Sequence, residues 1–413
     1  MFNIKNIQKE VWYLNLQERA LLLHEQNKGK ITVQSKVSVR NMEDLSLAYS
    51  PGVAEPCLQI KQDAENVYRY TSKGNLVAVV SNGTAVLGLG NIGPEAALPV
   101  MEGKAILFKE FADIDAVPLC INATDTDEIV KIITSLEPTF GGINLEDIAA
   151  PACFEIEERL KEIMDIPVFH DDQHGTAIVT VAALLNSLKL VSKSIENIRV
   201  VINGAGSAGI ATTKLLLLFG VEDVILCDTK GAIYENRPVG MNAMKDEIAK
   251  VTNQTNRAGS LKDVIVDADV FIGVSAAGEL TKEMIQTMNP DSIVFAMANP
   301  VPEIMPEEAI QAGVRVIGTG RSDYPNQINN VLAFPGIFRG ALNVGARSIN
   351  EEMKVAATYA LANLVDEDEL RADYVLPNSF DKRVVFSVAE AVEKAAIESG
   401  NVRKKIGVVG VGD

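Results

Sequence analysis

The sequence predicts an α/β protein, with an N-terminal α/β domain followed by a Rossmann-type, doubly wound dinucleotide-binding domain that ends in C-terminal helices. A glycine-rich turn at residues 204–209 stands between an apolar run and a helical pattern. Three more apolar runs, at residues 270–275, 293–300 and 314–320, alternate with helical segments, as strands of a parallel sheet do. Residues 141–176 repeat the order strand, helix, strand. We expect the domains to span residues 1–160 and 161–413.

Composition and charge limit the partners and the cellular location that we expect for this protein. The 413 residues carry a net charge of −17, which argues against binding to nucleic acid or to an anionic membrane. The best candidate for a membrane span, residues 177–191, is interrupted by Asn186, Ser187 and Lys189. Four widely spaced cysteines in apolar settings indicate buried free thiols in a reducing compartment. With no signal-peptide pattern at the N-terminus, we expect a cytoplasmic protein.

Four carboxylates stand at the ends of the two strands predicted within residues 141–176: Glu146, Asp147, Asp171 and Asp172. Bringing these carboxylates close together is unfavourable because like charges repel, unless a cation or a proton lies among them. An all-oxygen set without Cys or His favours Mg²⁺ or Mn²⁺. Consecutive strand residues face opposite sides, so neighbouring acids can share an ion only where the chain turns. The alternative is that these acids are helix caps and solvated loop ends.

Two G-x-G-x-x-G patterns occur, and their contexts differ. The first, at residues 88–93, follows Asn82-Gly83, which predicts a hairpin, and precedes Pro94; we interpret it as a tight turn near a substrate or metal. The second follows an apolar strand and precedes a helix, as a pyrophosphate-binding loop does. Its predicted cofactor-binding residues are Gly204, Ala205, Gly206, Ser207, Ala208 and Gly209.

The acid that ends the next strand bears on cofactor choice. Asp228 lies about twenty residues after the glycines, where a carboxylate accepts a hydrogen bond from the ribose 2′-hydroxyl and repels a 2′-phosphate. We therefore predict NAD as the cofactor. Lys230 lies close enough to soften that repulsion, which keeps NADP as the alternative.

Other candidate residues are a lysine, a tyrosine and two asparagines. Lys104 begins an apolar run, and desolvation there would lower its pKa and allow it to act as a base; an exposed lysine is the alternative. Tyr49 stands beside a Ser-Pro-Gly turn, where a buried structural tyrosine is the alternative. Asn299 and Asn330 lie at predicted strand edges facing a cofactor, with turn formation as the alternative.

Seven segments, in order, carry a family resemblance: AYSPGVAEPC, NGTAVLGLGNIG, MEGKAILFK, GGINLEDI, FHDDQHGTA, GAGSAG and NNVLAFPG. Over residues 40 to 345 the chain resembles the malic enzyme family in its short bacterial form. The resemblance implies metal-dependent oxidative decarboxylation of (S)-malate to pyruvate and CO₂, with reduction of NAD or NADP.

The resemblance also assigns roles. Tyr49 would be the general acid and Lys104 the general base, with Asp171 beside the metal as a further catalytic residue. Glu146, Asp147 and Asp172 would bind the metal, and Asn299 and Asn330 would contact the substrate carboxylates. Larger members place a substrate-binding Arg where this chain has Ala85.

Two other functions stay open: an oxaloacetate decarboxylase acting at the same site, and a dinucleotide-sensing regulatory protein that has lost the chemistry. As partners we expect small molecules (malate, oxaloacetate and pyruvate) and a second copy of the chain in a homodimer. An apolar stripe on a helix predicted over residues 4 to 23 is a candidate subunit interface.

Overall fold

A computed structural model describes residues 15–86 and 88–403. Its first sheet has four parallel strands in the spatial order β2-β1-β3-β4. These strands are β1 (Leu76–Ser81), β2 (Asp115–Cys120), β3 (Gly142–Leu145) and β4 (Val168–His170). The helices of this region are α1 (Leu16–Asn27), α2 (Met42–Ala48), α3 (Ala54–Gln62), α4 (Val67–Tyr70), α5 (Pro94–Ala112), α6 (Thr126–Thr134) and α7 (Ala152–Ile163).

The second sheet has six strands: β5 (Arg199–Asn203), β6 (Asp223–Asp228), β7 (Gly231–Ala232), β8 (Val270–Gly273), β9 (Ile293–Ala296) and β10 (Val316–Thr319). Their order is β10-β9-β8-β5-β6-β7, and every neighbouring pair is parallel except β6 and β7. The chain runs outward from β5 in both directions, so a crevice opens where the order reverses. The doubly wound Rossmann-type prediction is confirmed.

The remaining helices surround and join the sheets: α8 (Asp171–Val191), α9 (Ser207–Leu218), α10 (Ala243–Ala249), α11 (Leu261–Val264), α12 (Lys282–Ile285), α13 (Pro306–Ala312), α14 (Phe334–Asn343), α15 (Glu351–Ala362) and α16 (Arg383–Glu398). Among the described helices, α8 is long and apolar enough to cross a membrane by length and composition. However, 67% of the most apolar stretch of this helix is buried inside the protein. Its apolar side chains therefore pack against other parts of the protein.

A single hydrophobic cluster connects the two sheets. It runs from Val77 of β1 through α8 to Val392 of α16. At its centre Phe108 of α5 meets Phe334 and Phe338 of α14 edge-on, with ring centroids 4.7 and 5.2 Å apart. Edge-to-face pairs of this kind add about 0.5–1.5 kcal/mol beyond their buried area. Phe338 also lies edge-on to Phe169 of β4, with ring centroids 5.8 Å apart, so α14 packs against the first sheet as well as against α5.

The predicted domain boundary at residue 160 remains a prediction, but the sheet pairing bears on it. Because β4 pairs with β3 in the first sheet, a boundary after residue 170 follows the strands better. α8 then begins the second domain.

Two local expectations differ from the structure, and a third lies partly outside the described residues. Asn82-Gly83 makes no hairpin, because the chain leaves the sheet after Ser81 and Nδ2 of the Asn82 side chain donates to the carbonyl oxygen of Ala123. All four cysteines are free, but only Cys153 and Cys227 are buried, whereas Cys120 is half-buried and Cys57 is exposed. Of the helix predicted over residues 4 to 23, residues 4–14 lie outside the described part of the chain, and α1 begins at Leu16.

Candidate active site

Two strand ends bring three carboxylates together. β3 and β4 are parallel neighbours, so Glu146 and Asp172, which follow them, arrive at the same edge of the sheet. β3 ends at Leu145, and Asp147 takes a left-handed backbone with φ +54°, which is the turn that two consecutive acids need in order to face one point. One oxygen each from Glu146, Asp147 and Asp172 lies within 4.8 Å of the others.

These carboxylates fit a hard divalent cation. Burial, with the charges of Asp172 and Glu146 added, raises the pKa of Asp147 to about 9. Burial likewise raises the pKa of Asp172 to about 6, although Lys104 opposes the shift. Oδ2 of Asp147 is buried and accepts no hydrogen bond from the described residues. A cation coordinated by these oxygens would relieve the repulsion and satisfy that atom, and Mg²⁺ and Mn²⁺ prefer such ligands.

Lys104 lies directly against this cluster. Its side chain extends from α5, and its Nζ lies 2.6 Å from Oδ2 of Asp171 and 2.9 Å from Oε1 of Glu146. It also lies 4.5 Å from the centre of the Phe334 ring. Burial alone would lower the pKa of Lys104, but the charges of Asp171 and Glu146 outweigh it and raise that pKa. The expectation of a lowered lysine pKa is therefore wrong, because the sequence did not show these two partners.

Asp171 is fully buried at the first position of α8. One carboxylate oxygen contacts Lys104, while Oδ1 has no hydrogen-bond partner among the described residues. Burial raises the pKa of Asp171 to about 6, against the opposing charge of Lys104. Gly175 makes room for this carboxylate, since a Cβ there would lie 1.9 Å from Oδ1. The same Cβ would lie 3.0 Å from Asn330, so the glycine also lets that residue approach.

A cleft of about 320 Å³ joins the carboxylates to the glycine turn. Its lining combines three kinds of residue predicted from the sequence: acids, residues of the glycine turn and asparagines. These are the acids Asp147 and Asp172, the turn residues Gly206, Ser207, Ala208 and Gly209, Asn299 after β9, and Asn330. Gly88 of the first glycine pattern and Ala85 also line it. The cleft thus brings two of the three metal candidates, Asp147 and Asp172, together with residues 206–209 of the dinucleotide loop; Glu146 does not line it.

The glycine turn has the geometry of a pyrophosphate loop. Gly204 has φ +121°, and a Cβ on Gly209 would lie 1.8 Å from the carbonyl oxygen of Gly204, so both positions require glycine. Among the described residues, a Cβ on Gly206 would meet no atom within 4 Å, which leaves room for a ligand at that backbone. None of the described side chains caps α9, so its first N–H groups are available to an anion.

Asp228 does not stand alone at the end of β6. Nη1 and Nη2 of Arg237 lie 2.8 and 2.5 Å from its two oxygens, and Nζ of Lys245 lies 2.6 Å away. Although burial alone would raise it, these hydrogen bonds hold the pKa of Asp228 below its usual range. Two cations surround one carboxylate, so the repulsion of a 2′-phosphate is weaker than Asp228 alone implies.

Tyr49 lies apart from the cleft in this chain. It follows the last residue of α2, and 67% of it is exposed. In the described residues its side chain makes no hydrogen bond, and it does not line the cleft. The alternative of a buried structural tyrosine is therefore wrong. The N-terminal helices around it leave Leu16, Leu21 and Leu47 more than 70% exposed.

Glu303 shapes the cleft and was not predicted. It is fully buried and accepts hydrogen bonds from the backbone N–H of Ser275 and of Ala298, at 2.9 and 3.0 Å. It thereby ties the loop after β8 to the loop that carries Asn299. An acid in an otherwise apolar, proline-rich segment was the available signal. No comparable signal in the sequence marked Arg237 and Lys245, the partners of Asp228, which lie nine and 17 residues further along the chain.

Comparison with known proteins agrees with this geometry. Residues 26–161 match the family model of the malic enzyme N-terminal domain, and residues 173–397 match that of the malic enzyme NAD binding domain. This chain belongs to the malic enzyme family. The reaction of that family is the oxidative decarboxylation of malate, so the chain is an oxidoreductase with an NAD-binding domain.

Relatives in the malic enzyme family cover nearly the whole chain. A bifunctional malic/malolactic enzyme of Bacillus subtilis is 68% identical over 94% of this chain and 95% of its own length. An NAD-dependent malic enzyme of Geobacillus stearothermophilus is 58% identical over 95% and 81%. The crystal structure of an NAD-dependent malic enzyme from Thermotoga maritima is 50% identical, with a TM-score of 0.88 over 91% of this chain and 98% of that one.

Proposed function

We propose that this chain converts (S)-malate to pyruvate and CO₂ in the cleft between the two sheets, with NAD as the oxidant and Mg²⁺ or Mn²⁺ as the metal. The observation that supports this most is the shared cleft, in which Asp147 and Asp172 face the glycine turn of the dinucleotide loop. Hydride transfer requires the substrate and the cofactor to lie in contact, and a cleft lined by both sets of residues supports this proposal.

The metal would be held by Glu146, Asp147 and Asp172. When bound, it supplies positive charge where negative charge develops on the C2 oxygen during loss of CO₂. Asn299 and Asn330 line the same cleft and can donate their amide N–H groups to the malate carboxylates.

Lys104 would take the proton of the C2 hydroxyl. To do so its ammonium group must first lose a proton, and Oδ2 of Asp171, 2.6 Å away, is placed to accept it. Burial already favours the protonated form of Asp171, which makes this transfer within the pair less costly. Asp171 therefore serves as the proton partner of Lys104.

Tyr49 would protonate C3 of the enolate that remains after CO₂ has left. Because it lies outside the cleft of its own chain, it would do so in the cleft of a second copy of the chain. We also propose a homodimer, because the exposed leucines of the N-terminal helices would be covered by a second copy. A cytoplasmic location agrees with the four free thiols.

NAD is the proposed cofactor, with NADP as the alternative at the same ribose site. Arg237 and Lys245 offset the charge of Asp228 and could contact a 2′-phosphate. Relatives in the family carry both names: the NAD-dependent enzyme of Geobacillus stearothermophilus and an NADP-dependent malic enzyme of Haemophilus influenzae, 53% identical.

A malolactic reaction is a second candidate, favoured by the name of the Bacillus subtilis relative. In that reaction malate loses CO₂ and the product is lactate, so malate undergoes no net oxidation. The same metal and proton-transfer residues would serve it.

The test is a product assay on the purified protein. With malate and Mn²⁺ we expect NADH and pyruvate in equal amounts, and no NADH after the metal is removed with EDTA. Lactate formed without net NADH would support the malolactic candidate. Pyruvate from oxaloacetate, with no reduced cofactor from malate, would instead favour the oxaloacetate decarboxylase. Absence of all three activities with the dinucleotide still bound would favour a sensor.

A further inference from the structure

A buried glutamate on α7 holds the start of α8. The N-cap residue of α8, His170, forms no side-chain cap. Instead, Oε1 of Glu157 accepts the backbone N–H of His170 at 3.1 Å. Nε2 of His174, one turn further along, lies 2.9 Å from both oxygens of Glu157. A carboxylate only accepts hydrogen bonds, so His174 carries its proton on Nε2.

Further side chains surround the contact between Glu157 and His174. Glu157 is 5% exposed, and Nζ of Lys161 lies 2.7 Å from it. Nζ of Lys354, on α15, lies 3.4 Å from Nδ1 of His174, and the Phe169 ring lies 5.4 Å from the imidazole. Donors on both oxygens compensate the burial of the charge, and its place at a helix N-terminus is favourable for an anion.

The turn that Glu157 holds is the turn that presents the metal-binding acid. Between His170 and His174 lie Asp171, which contacts Lys104, and Asp172. Oδ2 of Asp172 accepts a hydrogen bond from the backbone N–H of Asp147 at 2.8 Å. The position of this turn therefore also affects the backbone that carries Asp147. A small rotation of the turn would move Asp172 away from Glu146 and Asp147.

We propose that Glu157 is a positioning residue for the metal site, holding His170 and His174 so that Asp172 meets Glu146 and Asp147. This inference rests on the proposed function, which places the metal on these three acids. Residues that support metal ligands typically contribute 10- to 100-fold in metal affinity.

The experiment measures Mn²⁺ binding to the metal-free protein by titration calorimetry. Glu157→Ala should weaken binding about 10- to 100-fold. Glu157→Gln keeps an oxygen for the N–H of His170 but loses an acceptor for His174, so its affinity should fall between wild type and Glu157→Ala. Glu158→Ala, the same change at the exposed neighbouring acid, should leave binding unchanged. Circular dichroism and NADH binding report whether each variant is folded.

Kinetics separate positioning from a general structural loss. In Glu157→Gln the KM for Mn²⁺ should rise, while kcat at saturating Mn²⁺ stays near wild type. Unchanged Mn²⁺ affinity in Glu157→Gln and Glu157→Ala would overturn the inference, provided Asp172→Asn does weaken binding. If Asp172→Asn also binds Mn²⁺ normally, the metal site of the proposed function has failed instead. Should Glu157→Ala not fold, Glu157→Gln decides the outcome.

Discussion

Nζ of Lys104 lies 2.6 Å from Oδ2 of Asp171, and both residues are buried. Removing Lys104 would leave Asp171 as an uncompensated buried charge, which is strongly unfavourable, whereas removing Asp171 would leave Lys104 with Glu146 as its partner. The pair also touches Glu146 through the second contact of Lys104 at 2.9 Å. In the proposed function, proton transfer by Lys104 and metal binding by Glu146 would therefore be coupled through one small cluster of side chains.

The first prediction separates the work of Lys104 from that of Tyr49. Lys104→Ala should nearly abolish both malate oxidation and oxaloacetate reduction, because the C2 oxygen loses its proton partner. Tyr49→Phe should keep much of oxaloacetate reduction and lose pyruvate formation, because only C3 protonation is removed. Each group should contribute about 10²- to 10⁴-fold. The measurements are rates of malate oxidation, oxaloacetate reduction and enolpyruvate ketonisation.

Tyr70 serves as the control for Tyr49, because it is also exposed and has no assigned role in the reaction. Tyr70→Phe should leave all three rates unchanged. Equal loss of all three in folded Tyr49→Phe would contradict the proposed division of labour.

The second prediction concerns the metal. Asp172→Asn removes one charged ligand from the cluster, so Mn²⁺ binding should weaken at least tenfold and decarboxylation should fall with it. The same substitution also removes a repulsive charge beside Asp147, so the folded variant should not lose stability by more than about 1 kcal/mol. Calorimetry with Mn²⁺ and urea unfolding measure the two effects. Normal Mn²⁺ affinity in Asp172→Asn would contradict the assignment of Asp172 as a metal ligand.

The third prediction concerns cofactor choice. Lys245→Gln leaves Asp228 with Arg237 as its remaining charged partner, so a 2′-phosphate meets less positive charge. The ratio of kcat/KM for NADP to that for NAD should fall about threefold to tenfold, equal to about 0.7–1.4 kcal/mol. Lys250→Gln, at an exposed position in the same region, is the matched control and should not change the ratio. A ratio that stays constant in Lys245→Gln would mean that Lys245 has no role in cofactor choice.

The fourth prediction concerns stability. Asn186, fully buried in α8, donates to the carbonyl oxygens of Ala362 and Val375, at 2.8 and 3.0 Å. Asn186→Leu leaves both carbonyls without that donor, which should lower the free energy of unfolding by about 1–3 kcal/mol. Urea unfolding measures the change. Asn197→Leu, at an exposed position, should have little effect, and an equal loss in both variants would argue against the role of these hydrogen bonds.

Much of the fold could be predicted because its signals are local. The apolar runs of β5, β8, β9 and β10 alternate with helical patterns along the chain, so neighbouring residues reveal them. The predicted hairpin at Asn82-Gly83 is wrong because its signal is not specific. The same dipeptide also occurs in loops, and the contact between Asn82 and Ala123, which are distant in the sequence, favours the loop.

The sequence by itself determined the family, the order of strands and helices, the glycine turn and the acids at the strand ends, because each depends on residue type and short spacing. Only the tertiary structure decided how those groups are charged and held. Lys104 meets Asp171 from 67 residues away, Lys245 meets Asp228 from 17, and Glu157 meets His174 from 17. The direction of the Lys104 pKa shift depends on which charges folding brings within a few ångströms, and no local pattern specifies that.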